Sequence, residues 1–214
     1  MSGAGRIALT FDDGPDPRWT PAVLDALRDA GARATFFVLG ERVRAHPGLV
    51  RRTLAEGHVV EVHGDEHLSH PDAGEAAVRT DLTAALAALA QVGVEPRRWR
   101  IPWGRLAPFT PAVAAQAGLA LTGWTVDTHD WRGDDAASML AACAPALAPG
   151  TVVLAHDGVG PGALRTGCAE TAALVGPLTT AIRAAGLSPV PLDAAWRHDV
   201  PPGNPELAPF PPGG

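Results

Sequence analysis

Two aspartates stand side by side at the end of an apolar run in LTFDDGPDP, residues 9–17. Like charges held close in a poorly solvated place repel, and each raises the other's pKa unless a cation or a hydrogen-bond donor compensates. Gly14 and Pro15 then turn the chain, and Asp with Gly-Pro is also ordinary turn chemistry, so taken alone the pair is equally a solvated turn. A second stretch, EVHGDEHLSHP, sets His63 and His67 four residues apart. On a helical turn, residues i and i+4 share a face, which lets two imidazoles reach one metal. That spacing alone is a weak signal. Two histidines and one carboxylate, however, are a common donor set for a catalytic divalent ion that keeps positions open for water and substrate. One aspartate would supply the carboxylate. The other would be free to act as a base on the water, and a cation beside them makes the paired charges tolerable.

These residues need elements to hold them. Short β-branched or aromatic runs predict strands near residues 7–11, 35–39, 59–63, 99–101, 121–126, 152–155 and 189–192. Thr20-Pro21 and Thr110-Pro111 each place a capping hydroxyl before a proline at a first helical position, and Gly31 and Gly118 stand where those helices should stop. Further helices are predicted near residues 73–92, 136–148 and 171–185. Such βα alternation predicts a parallel sheet with right-handed crossovers, closed into a barrel or open and doubly wound. On this map Asp12, Asp13, His63, Arg100, Asp127, Asp130 and His156 all fall at C-terminal strand ends, the rim where parallel βα folds build their active sites. A plain solvated turn at Asp12-Asp13 would have no reason to be joined there by so many ionisable residues.

Length and composition narrow the field. A chain of 214 residues suits one domain with a sizeable core. A net charge of −6 and the lack of any basic run argue against nucleic acid or an anionic membrane as partner. All 17 basic residues are arginine, which reads as composition bias. Cys143 and Cys168 form no CxxC pattern, so a cysteine zinc site is excluded and buried free thiols are expected ahead of a disulfide. No run approaches a membrane span, and nothing like a signal peptide precedes the first strand near Arg6. The sequence as it stands therefore reads as soluble and cytoplasmic, or as secreted from a longer precursor. Residues 198–214, HDVPPGNPELAPFPPGG, are expected to form an extended or disordered tail, since their prolines and glycines supply neither ladder donors nor a helix.

TFDDGP, HGDEH, RIPWG, DTHDW and LAHDG, in this order between residues 10 and 158, resemble the five successive motifs of the polysaccharide deacetylases, the NodB-homology domain of carbohydrate esterase family 4. The resemblance implies an α/β fold, a distorted parallel (β/α) barrel of about seven strands, with residues 1–197 as the catalytic domain. It implies a monomeric hydrolase that removes N-linked acetyl groups from acetylated amino sugars of chitin- or peptidoglycan-type glycans and releases acetate. Asp12 matches the catalytic base, while Asp13, His63 and His67 match the ligands of one divalent metal, zinc first, with cobalt, nickel or manganese as substitutes. Arg100 matches the arginine that pairs with the base and orients it, as a buried carboxylate requires. His156 matches the general acid for the leaving amine, Asp130 the acid that tunes it, and Asp127 a companion. Trp103, Trp131 and Leu154, with Asp127, match positions along the sugar groove.

Gly64 departs from the pattern, because the family usually carries Ser or Thr there, whose hydroxyl braces the loop, and a looser metal site is expected. HLSHP also offers His67 and His70 as ligands at i and i+3. The motif spacing favours His63 with His67, which leaves His70 behind the ligands or exposed. His46, His58, His129 and His198 are expected to be surface or structural residues. Trp19, Trp99, Trp124 and Trp196 are expected in packing, with Trp99 stacked on Arg97 and Arg98. Two other functions stay open: an O-acetyl xylan esterase or small-molecule amide hydrolase on the same fold, and a silent carbohydrate-binding module. Asp12, Arg100 and His156, all present, count against silence.

Overall fold

The computed structural model describes residues 5–193 and Trp196. Strand β1 (Gly5–Asp12) leads to helix α1 (Trp19–Asp29), then β2 (Thr35–Leu39), α2 (Gly40–Ala45), α3 (Pro47–Ala55) and β3 (Val59–Gly64). A short turn of helix, α4 (His70–Ala73), precedes the long α5 (Glu75–Gln91) and β4 (Arg98–Trp99). Then come α6 (Thr110–Gln116), β5 (Ala120–Leu121), β6 (Val126–Asp127), α7 (Ala136–Cys143), β7 (Val152–His156), α8 (Ala169–Ala184) and β8 (Leu187–Val190). The strands join in the order β5-β4-β3-β2-β1-β7-β6, with β8 also on β1, and every pairing is parallel.

The eight strands among the described residues, where about seven were expected, come from one division. The strand expected over residues 121–126 breaks at Gly123 and Trp124 into β5, which pairs with β4, and β6, which pairs with β7. Among the described residues β5 and β6 do not pair, so the curled sheet opens between them and is not a closed barrel. The final strand starts two residues before the expected position. The crossover from β2 to β3 holds α2 and α3, which the sequence reading missed: Pro47 cannot continue a helix yet suits the first turn of a new one, so one helical stretch becomes two short ones.

The capping expectation also needs correction. Both helices start one residue or more before the expected position, so the two threonines lie in the first turn and bond the preceding loop. Thr20 accepts from the Asp16 N–H at 2.7 Å and Thr110 from the Ala107 N–H at 3.1 Å. Ahead of α1, whose cap residue Arg18 offers no capping side chain, the Asp16 carboxylate turns the chain by taking the N–H groups of Arg18 and Trp19. The stop signals hold: Gly31 and Gly118, at φ of +60° and +71°, take the left-handed conformation that ends a helix.

Strand alternation delivers the site. Along β1, Ile7, Leu9 and Phe11 pack in the main core with Leu24, Leu27, Leu174 and Ile182 of the covering helices. Ala8 faces the other way, into a second apolar cluster with Phe37, Val152, Leu192 and Trp196. With a period of two, Thr10 and Asp12 share that inner face, so the inside of the curl runs from apolar at one end to ionised at the other. Cys143 and Cys168 are free and buried, and burial pushes their thiols up to about 11 and 12. Among the described residues no helix is long and apolar enough to cross a membrane. The tail expected at residues 198–214 lies outside the described residues.

Candidate active site and metal centre

At the C-terminal ends of the strands one pocket gathers Asp12, Asp13, His63, His67, Asp127 and His156, walled by Trp103, Trp124, Trp131 and Leu154. Asp12 and His156 are register partners on neighbouring strands. Arg100, fully buried, crosses the inside of the sheet and donates to Asp12 Oδ1 and to the Thr10 hydroxyl, both at 2.7 Å. Its other nitrogen donates to the Gly123 carbonyl, and the guanidinium lies 4.1 Å from the Phe37 ring centroid. Burial pulls the Arg100 pKa down, opposed by the Asp12 charge, so each ion makes the other tolerable.

Asp13, at φ +70°, turns its carboxylate away from Asp12 and towards two imidazoles. Its Oδ1 lies 3.5 Å from His63 Nε2 and 3.4 Å from His67 Nε2, and these atoms form a group that could hold a metal ion. His63 Nδ1 is 2.8 Å from the Arg100 carbonyl. A carbonyl only accepts, so Nδ1 carries the proton and Nε2 presents its lone pair to the centre. Burial pulls His67 down to about 4, which keeps it neutral and able to ligate. Burial opposes ionisation of Asp13, yet the imidazoles around it, His63, His67 and His156, hold it well below the usual carboxylate range when they carry a proton towards it. Asp13 Oδ1 is buried and has no hydrogen-bond donor among the described residues. An ionised oxygen facing two lone pairs with no donor is the environment a divalent cation satisfies, so these residues fit one.

The i, i+4 spacing does not work here as first read. His63 is the last residue but one of β3, Gly64 at φ +152° ends the strand, and His67 follows on a loop, so the imidazoles converge from a strand end and a loop and not from a helical turn. His70 stands apart from them. It is buried, not exposed, with Nδ1 3.0 Å from the Thr110 hydroxyl and its ring 5.0 Å from that of Trp99. Trp99 therefore packs on His70 and not on Arg98, whose guanidinium donates to the carbonyls of Asp193 and Trp196. Elemental analysis checks the assignment: His67→Ala should lose a bound divalent ion that His70→Ala retains, loss in both variants would bring His70 into the ligand set, and loss in His70→Ala alone would remove His67 from it.

His156 Nδ1 bonds Asp130 Oδ1 at 2.7 Å, and the His156 N–H donates to Oδ2 of the same carboxylate. Burial pulls the imidazole pKa down, but Asp130, with Asp13 and Asp12 behind it, outweighs that and holds it up to about 9. Asp130 is itself steadied by Arg165 and by the Thr171 hydroxyl. Asp127 lines the pocket as expected, and its carboxylate also accepts from the His129 N–H at 2.7 Å, fixing the turn that leads to Asp130.

Three residues in this region were missed in the sequence. Trp124, expected in packing, stands in the pocket wall beside Trp103 and Trp131. Arg165 reaches back from a Gly- and Pro-rich loop to Asp130, His156 and Gly158. Asp157 lies fully buried against Thr20, which donates to it, and burial pushes it up to about 7. Its place in LAHDG next to His156 was the available signal.

A family model described as polysaccharide deacetylase matches residues 2–122. A chitooligosaccharide deacetylase from Bradyrhizobium sp. (strain ANU 289) is 39% identical over 171 residues, covering 78% of this chain and 77% of that protein. A peptidoglycan-N-acetylglucosamine deacetylase from Bacillus cereus is 36% identical, covering 71% of this chain and 72% of its own length. The solved structure of a family 4 carbohydrate esterase from Streptomyces lividans, in complex with acetate, superposes with a TM-score of 0.78 at 31% identity. It covers 86% of this chain and 91% of that one. The chain belongs to the polysaccharide deacetylases, the NodB-homology group of carbohydrate esterase family 4.

Proposed function

We propose that this chain is a metal-dependent hydrolase that removes N-linked acetyl groups from acetylated amino sugars in a chitin- or peptidoglycan-type glycan or oligosaccharide, releasing acetate. The observation that carries this reading is the pairing of two proton-transfer groups with different partners beside one Asp/His/His group. Asp12 is held by a cation, Arg100, and His156 by an anion, Asp130. An acid and a base for one reaction must be kept in opposite protonation states, and opposite partners do that. The relatives named above act on chitooligosaccharide and on peptidoglycan N-acetylglucosamine, which supports an N-acetylated sugar as substrate.

Asp13, His63 and His67 would hold the ion, with Zn2+ the first choice for two imidazoles and a carboxylate, and Co2+, Ni2+ or Mn2+ able to substitute. When bound, the ion supplies polarisation of the acetamide carbonyl and of the attacking water. Asp12 takes the proton from that water, and Arg100 keeps its carboxylate turned towards the pocket. His156, protonated at Nε2 while Nδ1 bonds Asp130, gives a proton to the departing amine, which leaves as a free amino sugar. The three indoles and Leu154 exclude water around the sugar and its acetyl methyl group. Residues 1–197 form the catalytic domain in this reading.

Acetate release from chitooligosaccharides, peptidoglycan and acetyl xylan, assayed in parallel with Zn2+ present, tests the proposal. Release from one or both N-acetylated substrates is expected. Release from acetyl xylan alone would replace it with an esterase, and no release from any substrate by metal-loaded protein would favour a silent binding module.

A further inference from the structure

Between the two imidazoles of the metal group the chain runs Gly64-Asp65-Glu66, and this run does not hold its own shape. Gly64 carries no side chain, and the N–H groups of Asp65 and Glu66 both point away from the sheet ladder. Their partner comes from α5. Asp81, almost fully buried, accepts from the Asp65 N–H on Oδ2 at 2.9 Å and from the Glu66 N–H on Oδ1 at 2.7 Å. A Cβ at Gly64 would lie 2.9 Å from Asp81 Oδ2 and 2.9 Å from the Glu66 carbonyl, so the glycine is what admits the carboxylate at this distance. From the other side Arg44 of α2 clasps the Asp65 carboxylate through two bonds of 2.6 and 2.7 Å. A third carboxylate beside Asp65 and Glu66 is electrostatically unfavourable. Two neighbouring N–H groups, that of Asp65 buried and that of Glu66 partly so, need an acceptor and give it a reason to be there.

We infer that Asp81 is a positioning residue for the metal centre. By pinning both N–H groups of the connecting loop it fixes where His67 presents Nε2 to Asp13 and His63, and it thereby sets the affinity of the site for its ion. The looser site expected from Gly64 is on this view avoided, with the brace supplied from a helix in place of a side chain at residue 64. The inference rests on the reading of Asp13, His63 and His67 as metal ligands.

Metal-free wild type, Asp81→Asn, Asp81→Ala and His67→Ala are titrated with Zn2+ against a chromophoric chelator, and amide hydrogen exchange is followed on the same metal-free chains. Asparagine keeps the size but turns one acceptor into an NH2 group. Alanine removes both acceptors while favouring helix, so α5 still folds. Each should weaken Zn2+ binding by about 10–100-fold, the range for a lost outer partner of a metal ligand. Exchange should quicken at residues 64–67 and not along α5. Wild-type affinity in both Asp81 variants, with binding lost in His67→Ala, overturns the inference and leaves the ligand reading standing. Wild-type binding in His67→Ala overturns the ligand reading and the inference with it. Faster exchange along the whole of α5 would mean that Asp81 only holds the helix, and that also overturns the inference.

Discussion

Replacing Asp12 by Asn should cut turnover by about a hundred- to ten-thousand-fold, the usual worth of general base assistance, while the bound divalent ion stays at wild-type occupancy. The choice of asparagine follows from Arg100. An alanine would leave a fully buried guanidinium facing no anion, and breaking a buried ion pair by removing one partner costs about 3–5 kcal/mol, enough to confuse lost chemistry with lost folding. Asparagine also loses the charge, but it keeps the side-chain volume and an oxygen for the 2.7 Å bond from Arg100, so the guanidinium retains its acceptor while the residue can no longer take a proton. Asp13→Asn should do the reverse, losing the ion, because its Oδ1 is the oxygen that faces both imidazoles. Arg100→Lys should resemble Asp12→Asn, with low turnover and normal metal content, since an ammonium keeps the charge but not the planar fork that reaches Asp12, Thr10 and Gly123 together. Elemental analysis beside a turnover assay separates these cases. Metal loss in Asp12→Asn with activity intact in Asp13→Asn would exchange the roles of the two aspartates.

The second large effect is in the dependence on pH. His156 must be protonated to assist the departing amine, and its pKa is raised from an ordinary 6.5 to about 9. Activity should therefore persist through neutrality and fall as pH rises towards 9. A cation held by Asp13 pushes the other way, so the fall comes at or below that value. His156→Ala should lose the alkaline limb and about a hundred- to ten-thousand-fold in rate. Asp130→Asn should keep the limb but move it to lower pH, because removing the anion removes the main cause of the upward shift. Turnover of the three proteins measured across pH decides it. An unchanged alkaline limb in His156→Ala would assign the proton to another group.

The parts of this site that were legible in the sequence are those whose residue types conflict with their surroundings. Asp12-Asp13, His63, Arg100 and His156 each interrupt or close an apolar run, and a polar group there must be partnered or functional. Residues that act by reach were hidden. Arg165 gets to Asp130 from a Gly- and Pro-rich loop, and a long side chain there could serve any neighbour. Asp81 occupies an ordinary-looking position on a long helix, and only the fold shows that the face it occupies meets the His67 loop. Trp124 enters the pocket because the strand breaks at Gly123, a break that the β-branched run 121–126 does not announce. The helices α2 and α3 are too short for a 3.6-residue period to stand out, yet α2 carries Arg44 and Arg42, the latter donating to the Asp13 carbonyl.

Strand β1 pairs with three others: β2, which follows it closely, and β7 and β8, which come near the end of the described chain. During synthesis β1 emerges before any of them, and only β2 is soon at hand. The edge that Ala8 offers to Val152 and Gly5 to Leu187 stays open until those distant residues have been made. Pairings of such long sequence separation close slowly, because the loop entropy is lost before the contacts form. Meanwhile a strand reading IALTF presents unpaired backbone and apolar surface to other chains. The strand that delivers Asp12 and Asp13 to the pocket is thus one that waits long for its neighbours.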